Sequence, residues 1–96
     1  MRPVLAVDLL CAGRAVLQVP VAQRDDCAQG LLTAARIADE FRAQMAGMHP
    51  EFGDGTLASA ARHAGMAREP AICEGAFAGA LISVLQAIRD THSISR

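Results

Sequence analysis

The chain contains no Trp, Tyr, Lys or Asn, and only three Phe. Without large aromatics, a core built from 96 residues has to be aliphatic and thin, with helices drawn close through small side chains. With no Lys, all nine basic residues are Arg; ten acidic residues oppose them, for a formal charge of −1. A protein that grips duplex DNA through its phosphates normally carries a basic surplus or patch. The balance here argues against strong autonomous DNA binding. Arg14, Arg24, Arg36, Arg42 and Arg62 can still form a local stripe in an assembly, for weak DNA contact without sequence specificity.

Cysteine is scarce and odd in number, Cys11, Cys27 and Cys73, with no C-x-x-C pair. That pattern supports neither a disulfide framework nor a zinc knuckle. Cys27 and Cys73 fall on apolar helical stripes and read as small buried hydrophobes in a reducing cytoplasm. Long apolar runs are missing too. Residues 76–85 are too few to span a bilayer, and Glu74 and Gln86 flank them. Leu9-Leu10-Cys11-Ala12-Gly13 faintly suggests a lipoprotein cleavage site. However, Leu10 is too large for its position, Asp8 breaks the apolar run, and Arg2 alone is a poor leader. The expected location is therefore cytoplasmic, with no membrane contact.

What is present is alanine, 20 residues of it, within a hydrophobic fraction of 52%. Alanine is the best helix former, and β-branched residues are few and scattered. The expected fold is all-α: one domain over residues 1–96, a compact bundle of about four helices with one long central helix.

Helix 1 is expected from Pro3 to Gln18, with Leu5, Leu9, Ala12 and Val16 as one stripe and Leu10 and Leu17 as a second. Helix 2 is expected from Pro20 to Ala46. Its seam is Cys27, Leu31, Ala34, Ala38, Phe41 and Met45; its wet face is Asp25, Asp26, Gln29, Arg36, Glu40 and Gln44. Arg36 and Glu40 are spaced for an i,i+4 ion pair. Gly47 fits the left-handed position that ends a helix, with Met48 folding back on the last turn. A short helix 3 is expected from Leu57 to Ala64, capped by Asp54 or Thr56 and ended by Gly65. Helix 4 is expected from Pro70 to Arg89, with Ser93–Arg96 frayed.

Two regions stand out. Gly47 to Thr56 concentrates a His, a Phe, a Pro and three Gly between the helical halves. Within it His49, Phe52 and Asp54 are candidates for contact with a protein partner. His49 and Asp54 can meet across the loop near the start of helix 3, the best candidate for a polar or anion-binding spot. The alternative is purely structural, with both capping helix ends and Phe52 plugging the core. The second region is helix 4. Cys73, Phe77, Leu81, Val84 and Ile88 form its core stripe, yet its opposite side carries Ala71, Gly75, Ala78, Gly79, Ile82 and Gln86. A helix apolar nearly all round is a buried helix. A second copy of the chain is the simplest partner, with Leu10, Leu17, Ala71, Gly75, Ala78, Gly79 and Ile82 as interface candidates. The competing expectation is that helices 1 and 3 cover both faces within one subunit.

No catalytic constellation is legible. His49, His63 and His92 are isolated, and Ser59 and Ser83 lack a nucleophile elbow. Gly53-Asp54-Gly55 is too short for a phosphate loop, and Asp39 and Glu40 diverge by about 100° on a helix. An enzyme, a cofactor and a metal are not expected.

The ordered set Met1-Arg2-Pro3-Val4-Leu5, Asp8-Leu9-Leu10, Val19-Pro20, Ala38-Asp39, His49-Pro50 and Gly53-Asp54-Gly55-Thr56-Leu57 resembles a group of short, all-helical alphaproteobacterial proteins. Some lie in phage-derived gene-transfer-agent clusters, where they look like small terminase subunits. The resemblance covers about residues 1–57, and its motifs are structural rather than catalytic. It implies a non-enzymatic adaptor that assembles as a ring, touches DNA and regulates a packaging ATPase, the large terminase. The chain departs from that pattern in lacking room for a helix-turn-helix domain and in its charge of −1. The second functional expectation is a small homodimeric interaction or regulatory module with no DNA role.

Overall fold

The computed structural model describes residues 1–94, with side chains to Thr91. Four α-helices follow one another: α1 (Ala6–Val16), α2 (Arg24–Met45), α3 (Leu57–Ala64) and α4 (Gly75–Ile94). A 3-10 turn, Val21–Gln23, leads directly into α2, so the long helix runs 25 residues in all. Among the described residues there is no strand, only one isolated bridge between His49 and Gly53. The α1 and α2 helices each pack against all three others, whereas α3 and α4 do not meet. The two middle helices thus carry α3 on one side and α4 on the other.

More than half of the buried apolar side chains are Ala, including Ala12, Ala35, Ala61 and Ala80. Phe77, Leu57, Val16 and Val84 are the largest side chains fully enclosed. Small residues let helix axes approach, and the closest approach is at Gly13 on α1. A Cβ there would lie 2.5 Å from Leu81 Cδ2 and 3.1 Å from Phe77 Cε1. The sequence placed the close-packing glycines on helix 4 instead. Around Gly75 and Gly79 nothing else lies within 4 Å of where a Cβ would be.

Helix 3 and its Thr56 cap and Gly65 stop appear where expected. The wet face of α2 is exposed throughout, although Arg36 and Glu40 form no ion pair among the described residues. Other expectations are corrected. The start of α1 moves from Pro3 to Ala6, because Leu5 is extended (φ −104°, ψ 172°) and Asp8 reaches back to its N–H. Leu5 consequently leaves the core stripe and is 64% exposed. The buried seam of α2 is Ala28, Leu31, Leu32, Ala35 and Ala38. Cys27, Ala34 and Phe41 form a neighbouring, half-buried stripe. Residues 42–48 are all exposed, so the end of α2 overhangs the bundle and neither Met45 nor Met48 packs. The left-handed residue that ends α2 is Ala46 (φ 54°, ψ 36°), one position before Gly47. Helix 4 begins at Gly75 rather than Pro70, since residues 65–74 cross from α3 to α4, pinned midway at Ala67. Cys73 therefore sits exposed in a turn and not on the core stripe. The fraying expected over Ser93–Arg96 does not begin at Ser93, as α4 continues to Ile94; Ser95 and Arg96 lie outside the described residues, as does the His92 side chain.

These contacts predict opposite outcomes at two helical glycines. Gly13→Val should destabilise the protein by about 1–3 kcal/mol, because the Leu81–Phe77 contact has no room for it. Gly30→Ala on α2 meets open space and should stabilise by about 0.5–1 kcal/mol. Urea unfolding monitored by circular dichroism measures both.

Candidate functional site

The segment joining α2 to α3 is a built structure. His49 and Gly53 exchange two backbone hydrogen bonds, His49 N–H to Gly53 O at 2.8 Å and Gly53 N–H to His49 O at 3.0 Å. Inside this small loop, His49 Nδ1 accepts from the N–H groups of Glu51 (3.0 Å) and Phe52 (3.2 Å). Its ring stacks on Phe52 at 4.6 Å and meets Phe41 edge-on at 5.0 Å. The imidazole is thereby fixed as the loop's internal scaffold.

The next turn is held by Asp54. Its Oδ1 accepts from the Thr56 N–H (2.9 Å) and the Thr56 hydroxyl (2.7 Å). Those bonds hold the Asp54 carboxyl below its ordinary 3.8. Thr56 Oγ1 in turn accepts from the Ser59 N–H at 3.1 Å, capping α3, and Ser59 Oγ accepts from the Asp54 N–H at 3.3 Å. Gly53 (φ 89°) and Gly55 (φ 97°) occupy left-handed backbone with no room for side chains. A Cβ on Gly53 would collide with Ser59 Oγ, and one on Gly55 would lie 2.9 Å from Asp39 Cα.

Asp8 completes the arrangement. It is 4% exposed; Oδ2 accepts the Leu5 N–H at 2.8 Å and Oδ1 accepts the Ala58 N–H at 3.0 Å. One carboxylate therefore serves the N-termini of two helices. Nearby, Asp39 faces the Met1 amino group (3.4 Å) and Arg2 Nε (4.0 Å), while the Arg2 N–H bonds to Gly55 O at 3.1 Å.

This geometry corrects the expected polar spot. His49 and Asp54 do not meet, because each is engaged within its own turn. The N-terminus of α3 already has protein acceptors from Asp8 and Thr56, which take the N–H groups an anion would need. By pattern alone Asp8 only breaks an apolar run. The available signal was its place three residues after Leu5, where an acidic side chain can reach back to the residue before a helix.

Phe52 is half-buried and, rather than plugging the core, lines an apolar groove of about 310 Å³ between α2 and α3. Cys27, Ala34 and His63 line it too, and burial pushes the Cys27 thiol up from its ordinary value. The arginine candidates divide by what they touch. Arg14 Nε donates to Ala67 O (2.9 Å) and Arg24 Nε to Val19 O (3.4 Å), so both serve the fold. Arg36 and Arg42 on α2 and Arg62 on α3 are exposed. Among the described residues, no three His, Cys, Asp or Glu side chains gather as a metal site would need.

The interface candidates split. Ala71 precedes α4 in an exposed turn, and Gly75 is exposed at its first residue. Ala78 and Gly79 are half-buried, and Ile82 is 54% exposed. Leu10 and Leu17 are half-buried, one turn either side of Gly13, where α1 touches Leu81. Leu85, one turn beyond Leu81, is 49% exposed, and Ile72 is 62% exposed. Neither α1 nor α3 covers the outer side of α4.

The chain belongs to the family described as domain of unknown function DUF7742, whose model matches residues 2–88. No curated protein and no solved structure matches it.

Three expectations come from these polar turns. Asp8→Ala should destabilise by about 3 kcal/mol, since it strips a charged acceptor from two N–H groups. Thr56→Ala, which removes one cap, should cost about 1 kcal/mol; denaturant midpoints test the ranking. The depressed Asp54 carboxyl contributes stability that is fully present above pH 3.8 and is lost as pH falls through its lower folded value. Thermal melts across the acid range should show wild type losing its advantage over Asp54→Asn in that window.

Proposed function

We propose that this protein is a non-enzymatic adaptor that works as an assembly of identical subunits. The observation that carries this reading is the uncovered outer side of α4, where Ile82 and Leu85 stay exposed and Gly79 has open space around it, with Ile72 exposed in the turn before the helix. Large contiguous apolar surfaces usually mark contacts. The resemblance of residues 1–57 to small terminase subunits adds a role for such an assembly: binding a large terminase ATPase and touching DNA weakly during phage-like packaging. A second reading, a homodimeric interaction module without DNA, draws support from the arginines. Two of the five DNA-contact candidates are spent on the chain's own carbonyls.

Native mass by light scattering on a sizing column tests the common part. The expected result is a multiple of 10.1 kDa, reduced to the monomer by Gly79→Arg. A wild-type monomer rejects the assembly. Ring-sized mass together with salt-sensitive retardation of long duplex DNA favours packaging; a dimer that ignores DNA favours the interaction module.

A further inference from the structure

The outer side of α4 has an order to it. Glu74, Ala78, Ile82, Leu85 and Arg89 follow steps of four, four, three and four, which line them up along one side of the helix. The backbone supports the register from its first residue, with the Ala78 N–H bonded to Glu74 O at 2.9 Å. Ile82 and Leu85 are about half exposed, and Glu74 and Arg89 are exposed at the two ends. Glu74 forms no ion pair among the described residues. Among the described residues Arg89 pairs only with its exposed neighbour Asp90, Nε to Oδ1 at 3.9 Å, a contact of little worth.

The stripe is thus negative at one end, apolar in the middle and positive at the other. Resting on the assembly proposed above, we infer that this face pairs with the same face of a second copy, the two α4 helices antiparallel about a two-fold axis between Leu81 and Ile82. In that register Glu74 of each copy lies opposite Arg89 of the other. Ala78 lies opposite Leu85, small against large, and the two Ile82 side chains sit beside the axis. Such an interface is isologous, so each contact occurs twice. A parallel copy would instead set Glu74 against Glu74 and Arg89 against Arg89, which like-charge repulsion disfavours. Gly75 and Gly79 border the stripe with open space around them, leaving the second backbone room to approach. From Glu74 to Arg89 the seam is about 22 Å long.

The test is a charge swap read by sedimentation equilibrium. Glu74→Arg and Arg89→Glu should each weaken association at least about ten-fold, because each puts two like-charge pairs into the dimer. The double variant Glu74→Arg/Arg89→Glu should recover to within about three-fold of wild type. Both positions of change are exposed, and unchanged circular dichroism would confirm that the three variants fold. As a charge-independent check, Ile82→Cys in a Cys73→Ser background should oxidise readily to a cross-linked dimer, its sulfurs lying near the axis. If wild type associates but the double variant does not recover, or Ile82→Cys does not cross-link, the antiparallel pairing is wrong while self-association stands. If wild type is monomeric at the highest attainable concentration, the face serves another partner and both readings fall.

Discussion

The buried carboxylate of Asp8 is the constraint on which the rest of the architecture depends. A helix start leaves unpaired N–H groups, and burying them without acceptors is costly. Asp8 answers that need for α1 at Leu5 and for α3 at Ala58, 50 positions away. The bond to Ala58 fixes where α3 begins against α1. That placement forces the preceding loop into a tight return, which only Gly53 and Gly55 can follow in left-handed backbone. Asp54, Thr56 and Ser59 then close the turn among themselves. The whole knot, from Leu5 to Ser59, lies within the residues that the family model matches.

The second constraint is the shortage of bulk. With Ala supplying most of the buried apolar side chains, burial per residue is small, and stability rests on close approach. Gly13 lets Leu81 and Phe77 settle directly on α1. The same economy leaves α4 covered on one side only. An alanine-rich bundle of this size cannot enclose a helix that is apolar nearly all round.

What could be read from the sequence depended on whether the cause was local. Helix 3 was legible to the residue because its Thr56 cap and Gly65 stop lie at its own ends. The wet face of α2 was legible for the same reason, as six polar residues repeat at helical spacing. The double duty of Asp8 was not, since its second partner lies half the chain away. Periodicity alone did not choose between the two adjacent apolar stripes of α2; packing against α1, α3 and α4 chooses the one with Ala28, Leu32 and Ala35, which is buried. Cys73 fits the stripe of helix 4 by number, but the crossing segment ahead of Gly75 removes it from the helix. The candidate site was legible as a place and not as an arrangement. The loop's special residues were visible, whereas the inward turn of His49 between Phe41 and Phe52 depends on the path of the chain.

The separation of α3 from α4 bears on how the protein is made. Neighbouring helices usually help one another fold as they leave the ribosome. Here α3 offers the helix that follows it no contact among the described residues. Until α4 has been synthesised, α1 presents Gly13 and the apolar residues around it with nothing to cover them. The nascent chain therefore passes through a stage in which three helices are complete and the groove for the fourth is open to any apolar segment nearby, including the α4 of a neighbouring chain.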